Sequence, residues 1–447
     1  MSDSPASAQP TIIWDLVEES FEEAEFLWHR WEDGLTSHAR DLAATAFWVE
    51  DRLAGSLEGI RVAGDAAFEP LLAPAIASDH PWRLMVAAHV AATCDSTQAR
   101  NVLAIMIGAA SGPRLDTLRR AVELVPQAEQ TAAIERKLAG GGLEQKAALL
   151  AMRAFRRQAP GPELNEVLAA EQPALRAVAY QAARCLEPTQ GLPLLERALE
   201  ESEVAPRNAA VESGLVLGSR AAWARCLQLV HAQAPGAGPL LSLVAQLGTD
   251  RDHELVLAAL ANDKLRRDAL FAAGFAGTVR FADACAEAMR DDQLAKVAAE
   301  SFCATTGLKL ETERLVEPEP PRPDEVIPFE QDDLDADLVP TQDEQLPRPK
   351  VAGVASWWKK HRAQFGAGTR YVRGQPVTMR ALQGVLESGP MRRRHGAALE
   401  MAIRSQGRYD VATRAFTDVQ RNQMRAFEQV MATRLPPSLL SRSISPI

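Results

Sequence analysis

The chain has 447 residues, of which 47% are hydrophobic and only 5% aromatic, so its apolar content is mostly Ala, Leu and Val. That composition suits close helix packing and disfavours sheets, and the length exceeds one ordinary core, so several domains or a stack of repeats is required. The net charge of −10 is uneven: residues 1–310 carry 29 basic and 41 acidic side chains, residues 311–349 carry 3 and 13, and residues 350–447 carry 17 and 5.

Residues 1–60 form the first predicted element, a helical N-terminal cap. The N-terminus MSDSPASAQP has no basic and apolar leader, and no apolar run approaches the roughly 18–20 residues of a membrane span. In IIWDLVEESFEEAEFLWHRWE the residues Ile13, Val17, Ala24, Trp28 and Trp31 share one helical face, away from most of the glutamates. Such a helix covers the exposed apolar end of a repeat stack. The alternative is a partner-binding helix through Trp14, Trp28 and Trp31, because tryptophan is enriched in interface hot spots.

Residues 61–308 repeat. The basic residues Arg83, Arg114, Lys146, Arg176 and Arg207 follow one another at steps of 31, 32, 30 and 31; Arg267 lies two periods further on, and Lys296 another 29. Each stands before an alanine-rich helix and is followed by a turn and a leucine-bearing helix, as in LPLLERALE and HELVLAALA. A pair of helices this short cannot bury its apolar faces alone, so neighbours must stack into a continuous core. The fold expected is all-α, an α-solenoid of HEAT-like helical repeats. A row of cations along one edge could contact phosphates, or each cation could cap or pair within the array; the acidic balance of the region favours the second.

Residues 309–349 are an acidic, Pro-rich linker with too little apolar content to fold alone. Asp333, Asp335, Asp337 and Glu344 fit four positions of a calcium-loop pattern, but Leu338 stands where glycine is needed and Pro340 follows, so no metal is expected. Ile327, Phe329, Leu334, Leu338 and Val339, set among carboxylates, form a candidate docking segment for the basic module.

Residues 350–447 form that module, predicted helical because MRRRHGAALEMAIR has the character of a repeat helix. Trp357 and Trp358 adjoin Lys359 and Lys360, and Arg392, Arg393 and Arg394 run consecutively. Interleaved aromatics and cations serve single-stranded nucleic acid, and equally a face matched to an acidic protein. The five cysteines are scattered and never form a CxxC pair, as in a cytoplasmic protein with reduced thiols. HExxH, GxxxxGK with Ser or Thr, GxSxG and complete GxGxxG motifs do not occur, and the histidines are dispersed. No catalytic residue and no cofactor is expected.

The N-terminal stretch just quoted, TGL at Thr306–Leu308, DLDADLVP in the linker, the WW pair, GxRYxxG from Gly368, and RRHGAALE resemble a bacterial family of HEAT-repeat proteins. The resemblance runs from about residue 11 to 430. Members of that family often lie in gene clusters with type VI secretion components, which implies an accessory role, such as an adaptor or chaperone for a spike or effector protein. The expected function is a non-catalytic protein-binding scaffold, with a nucleic-acid-binding repeat protein that uses the basic module as the alternative.

Overall fold

The computed structural model describes residues 12–126, 128–318 and 341–434. Among them the chain is all-α, with helices packed in sequential antiparallel pairs, apart from one ribbon of two-residue strands. Packing divides the described residues into two units: those within 12–35, 43–191 and 414–421 form the first, and those within 36–42, 192–318, 341–413 and 422–434 the second.

The first unit opens with α1 (Trp14–Gly34), which packs on α3 (Asp51–Val62) after the short α2 (Leu42–Thr45) and a π-helical turn, Ala46–Glu50. A second π-helical turn, Phe68–Leu72, leads into α4 (Ala73–Ala77). Then α5 (Pro81–Thr93), α6 (Thr97–Ala109), α7 (Gly112–Glu123), α8 (Ala128–Ala139), α9 (Leu143–Phe155), α10 (Glu163–Leu168) and α11 (Pro173–Ala183) alternate in direction. Every second helix touches the next but one: α5 with α7, α7 with α9, α9 with α11, and α6 with α8. That is the packing a 30-residue helix-pair repeat produces. Proline at the start of α5, α7 and α11 marks the turns, where its missing N–H costs nothing.

The unit boundary falls in α12 (Pro188–Ala198). The second unit continues with α13 (Val204–Val216), α14 (Arg220–His231), α15 (Ala237–Leu247), α16 (Asp250–Ala259), α17 (Arg266–Ala276), α18 (Val279–Ala288) and α19 (Ala295–Thr306). The row α15, α17, α19 packs face to face through buried alanines such as Ala269, Ala273 and Ala298. Ser219 caps α14 by accepting from Ala222 N–H at 3.1 Å, and Thr249 and Asp252 form a reciprocal capping box on α16. Next come α20 (Val351–His361), the ribbon β1 (Tyr371–Val372) and β2 (Gln375–Pro376), α21 (Met379–Ser388), α22 (Met391–Arg404) and α23 (Thr417–Arg434).

The two flanks of the linker meet. Val316 bridges to Pro349, Glu317 N–H donates to the Arg348 carbonyl, and Lys350 N–H to the Leu315 carbonyl, both at 2.8 Å. Among the described residues no helix is long and apolar enough to cross a membrane.

Candidate functional site

The row α15, α17, α19 ends its helices at one edge of the second unit, and each end leaves carbonyls without an intrahelical donor. The motifs of the basic region supply the missing donors. Tyr371 N–H donates to Gly277 carbonyl at 2.8 Å, Arg373 N–H to Ala304 carbonyl at 2.7 Å and Gly374 N–H to Thr305 carbonyl at 2.9 Å. Gly277 and Gly307, at φ +63° and +76°, end α17 and α19 in the left-handed conformation. A Cβ on Gly277 would overlap the Tyr371 carbonyl, and one on Gly307 would lie 2.6 Å from the Arg373 carbonyl, so glycine is what lets the ribbon seat.

Side chains extend the same logic. Arg370 reaches the Gln246 carbonyl of α15 at 2.6 Å and the Phe275 carbonyl of α17 at 2.8 Å, and Arg404 reaches Gln246 carbonyl at 2.9 Å. Both guanidiniums share Glu400, which is 1% exposed and accepts at 2.8 and 3.2 Å from Arg370 and at 2.9 Å from Arg404. Burial pushes the Glu400 carboxyl up, and the two arginines outweigh burial, holding it below the usual carboxylate range. Arg393 clasps Glu300 with two N–H groups, donates to Ser301 Oγ at 2.8 Å, and lies 4.1 Å from the Phe271 ring centre. Arg392 pairs with Asp343 at 2.5 Å, and Arg394, fully buried, donates to the Leu386 carbonyl at 2.7 Å.

These groups bound a cavity of about 640 Å³ inside the second unit. One wall is aliphatic: Val377, Leu382, Val385 and Ala397, all in the apolar cluster that α21 and α22 build with Leu42. Phe275, Ala304, Leu308 and Leu310 also line the cavity. His38 enters from the 36–42 segment, whose Arg40 and Ser37 carbonyls accept from Met391 and Arg392 N–H at 2.8 and 3.0 Å. Burial lowers the His38 pKa against the pull of Glu300 and Glu311, so the ring is neutral at pH 7. Cys303 also lines the cavity; burial raises its pKa, which leaves a thiol rather than a thiolate nucleophile. Among the described residues no group of three or more His, Cys, Asp or Glu side chains could hold a metal ion.

The first unit has its own polar centre. Glu50 accepts from Trp31 Nε1 at 2.7 Å and from both the N–H and hydroxyl of Thr417. Burial raises its pKa, opposed by those hydrogen bonds. Phe416 fits between Trp31, Trp28 and His89 at ring distances of 4.7, 6.0 and 6.1 Å. Burial pushes the His89 pKa down to about 4, against its hydrogen bond with the Ala121 carbonyl.

Of the residues singled out in the sequence, Trp28, Trp31, Trp358, Arg393 and Arg394 are buried and offer a partner little or no surface. Trp358 donates to Asp283 at 2.8 Å, and Trp357 stacks on His361 at 4.2 Å. Trp14, Lys359 and Lys360 are exposed and Arg392 is half-buried. Phe329, Leu334 and Leu338 lie outside the described residues, as do Ile327, Val339 and the acids Asp333, Asp335 and Asp337.

The periodic cations bond within the protein. Arg83 faces Glu25 at 3.6 Å, Arg114 takes the Ser78 carbonyl at 2.9 Å and Lys146 pairs with Glu166. Arg176 takes the Glu171 carbonyl and Lys296 the Glu344 carbonyl, both at 2.8 Å; Arg207 takes the Pro235 carbonyl at 2.6 Å, and Arg267 pairs with Asp343.

Sequence reasoning missed His38, Gln246, Glu300 and Glu400. The ribbon contact beside them had a signal in Gly307 of TGL and Gly374 of GxRYxxG, where the Arg373–Gly374 and Thr306–Gly307 backbones approach closely. Comparison with family profiles, with curated proteins and with solved structures found no match.

Proposed function

We propose that this chain is a non-catalytic protein-binding scaffold, an α-solenoid of HEAT-like repeats with a helical cap and a basic C-terminal module. In the setting implied by the sequence resemblance it serves as an adaptor or chaperone for secretion components in the cytoplasm. The supporting observation is on the first unit. Phe47 and Trp48 are each 64% exposed on the π-helical turn Ala46–Glu50, with ring centres 4.9 Å apart. An adjacent pair of exposed aromatics is what interface hot spots are built from, and π-helical turns concentrate at functional positions.

Phe26, 60% exposed, adds an apolar side chain to the outer face of α1, among Glu18, Glu19 and Glu22. That face suits a partner with basic and apolar side chains. The test is capture from a nuclease-treated native lysate with the full chain, comparing wild type with the Phe47→Ser/Trp48→Ser double variant. A discrete protein held by wild type and lost by an equally stable variant supports the scaffold. Equal recovery by both, or recovery of nucleic acid alone when nuclease is omitted, overturns it.

A further inference from the structure

The scaffold reading gives the cavity of the second unit no role. Its carboxylates, Glu300 and Glu400, are each already gripped by arginines, so they have little left to offer an incoming donor. Two cations at its edge are differently placed. Arg373 is exposed, and among the described residues its guanidinium donates to Ser388 Oγ at 2.9 Å and to the Gly384 carbonyl at 3.4 Å, neither of them charged. Lys309 also lines the cavity and is exposed, two residues after Gly307, against which the Arg373 backbone lies. The lining also holds Arg40 and Asp41, on the 36–42 segment, and Glu311, whose charge acts on both His38 and Cys303.

The apolar part of the lining is Leu308, Leu310, Val377, Leu382 and Val385, with Phe275 the one aromatic ring. A small inorganic anion would leave that wall wet, and a neutral hydrocarbon would leave the two cations without a counter-charge. A volume of about 640 Å³ lies in the range that encloses a small organic ligand.

We propose that this cavity binds an aliphatic carboxylate, a medium-chain fatty acid, with its head at Lys309 and Arg373 and its chain along Val377, Leu382 and Val385. Affinity then grows with chain length, about fourfold for each methylene that enters the aliphatic wall.

The experiment is calorimetric titration of the full chain with octanoate, decanoate and laurate, each below its micellar concentration, and with dodecanol as the uncharged control. The expected result is one saturable site, affinity rising along the acid series, and dodecanol about tenfold weaker than laurate. Lys309→Glu weakens laurate about tenfold while leaving dodecanol unchanged, and Arg373→Gln acts in the same direction. Lys309 is exposed, so its replacement leaves the fold intact. The proposal is overturned by any of three results: no saturable binding, equal affinity for laurate and dodecanol, or laurate binding that Lys309→Glu does not change.

Discussion

Replacing Glu400 with glutamine removes the one anion between two guanidiniums and keeps the side chain's shape. Glu400 is 1% exposed and takes three N–H donors at 2.8, 2.9 and 3.2 Å, so its replacement removes from Arg370 and Arg404 the carboxylate they share. Removing one member of a buried ion pair costs about 3–5 kcal/mol, because the other charge stays behind without compensation. Gln246 and Phe275 carbonyls still hold the guanidiniums, which puts the expected loss at the lower end. In a unit of this size each kcal/mol moves the melting midpoint by about 2–4 °C, so a loss of about 3 kcal/mol lowers the transition of the second unit by about 6–12 °C.

Acid titration gives a second readout. The folded pKa of Glu400 lies below its ordinary value of 4.5, so its stabilisation is present above that value and is lost as pH falls through the folded pKa. Glu400→Gln therefore flattens the acid limb of the stability curve. Differential scanning calorimetry across pH 3–7 measures both effects. A midpoint within about 2 °C of wild type at pH 7, with an unchanged acid limb, refutes the assignment of Glu400 as the keystone of the arginine cluster.

Gly277→Ala places a Cβ against the Tyr371 carbonyl at a left-handed φ, and urea titration should show a loss of about 1–3 kcal/mol or more from the second unit. Phe416 is half-buried between two tryptophans, so Phe416→Ala costs about 2 kcal/mol, less than a fully buried ring would. Its signature is a red-shifted tryptophan emission as Trp28 and Trp31 meet water. His89, with its pKa pushed down from 6.5 to about 4, stays neutral from pH 5 to 8 in an NMR titration. Unfolding lets it bind a proton below pH 6.5, so stability falls between pH 6.5 and 4, by about 3 kcal/mol in full, and His89→Gln removes that slope.

The helical array was legible because its period is local: a turn, an alanine helix, a turn and a leucine helix recur every thirty residues or so. The role of the periodic cations was legible for the same reason, since Arg176 and Arg114 cap ends in their own or the preceding unit. The basic module was harder. Its charge suggests a polyanion when counted along the chain, yet Arg370, Arg393 and Arg404 meet helix-end carbonyls and buried carboxylates as far as 158 residues away.

Such pairings leave no spacing to detect in one dimension. The N-terminal tryptophans show a related limit: periodicity puts Trp28 and Trp31 on an apolar face, but nothing local shows that Phe416 completes the cluster. Trp48 is one of four tryptophans between residues 11 and 60, and its exposure beside Phe47 on a π-helical turn follows from hydrogen-bond register, which hydrophobic patterning does not report.

Hydrogen exchange on the full chain, alone and with a partner captured from lysate, tests the scaffold reading most directly. The account predicts slowed exchange across residues 44–52 and along the outer face of α1, with the backbone of residues 370–374 unchanged. Protection confined to residues 350–404, or none at all, would contradict it.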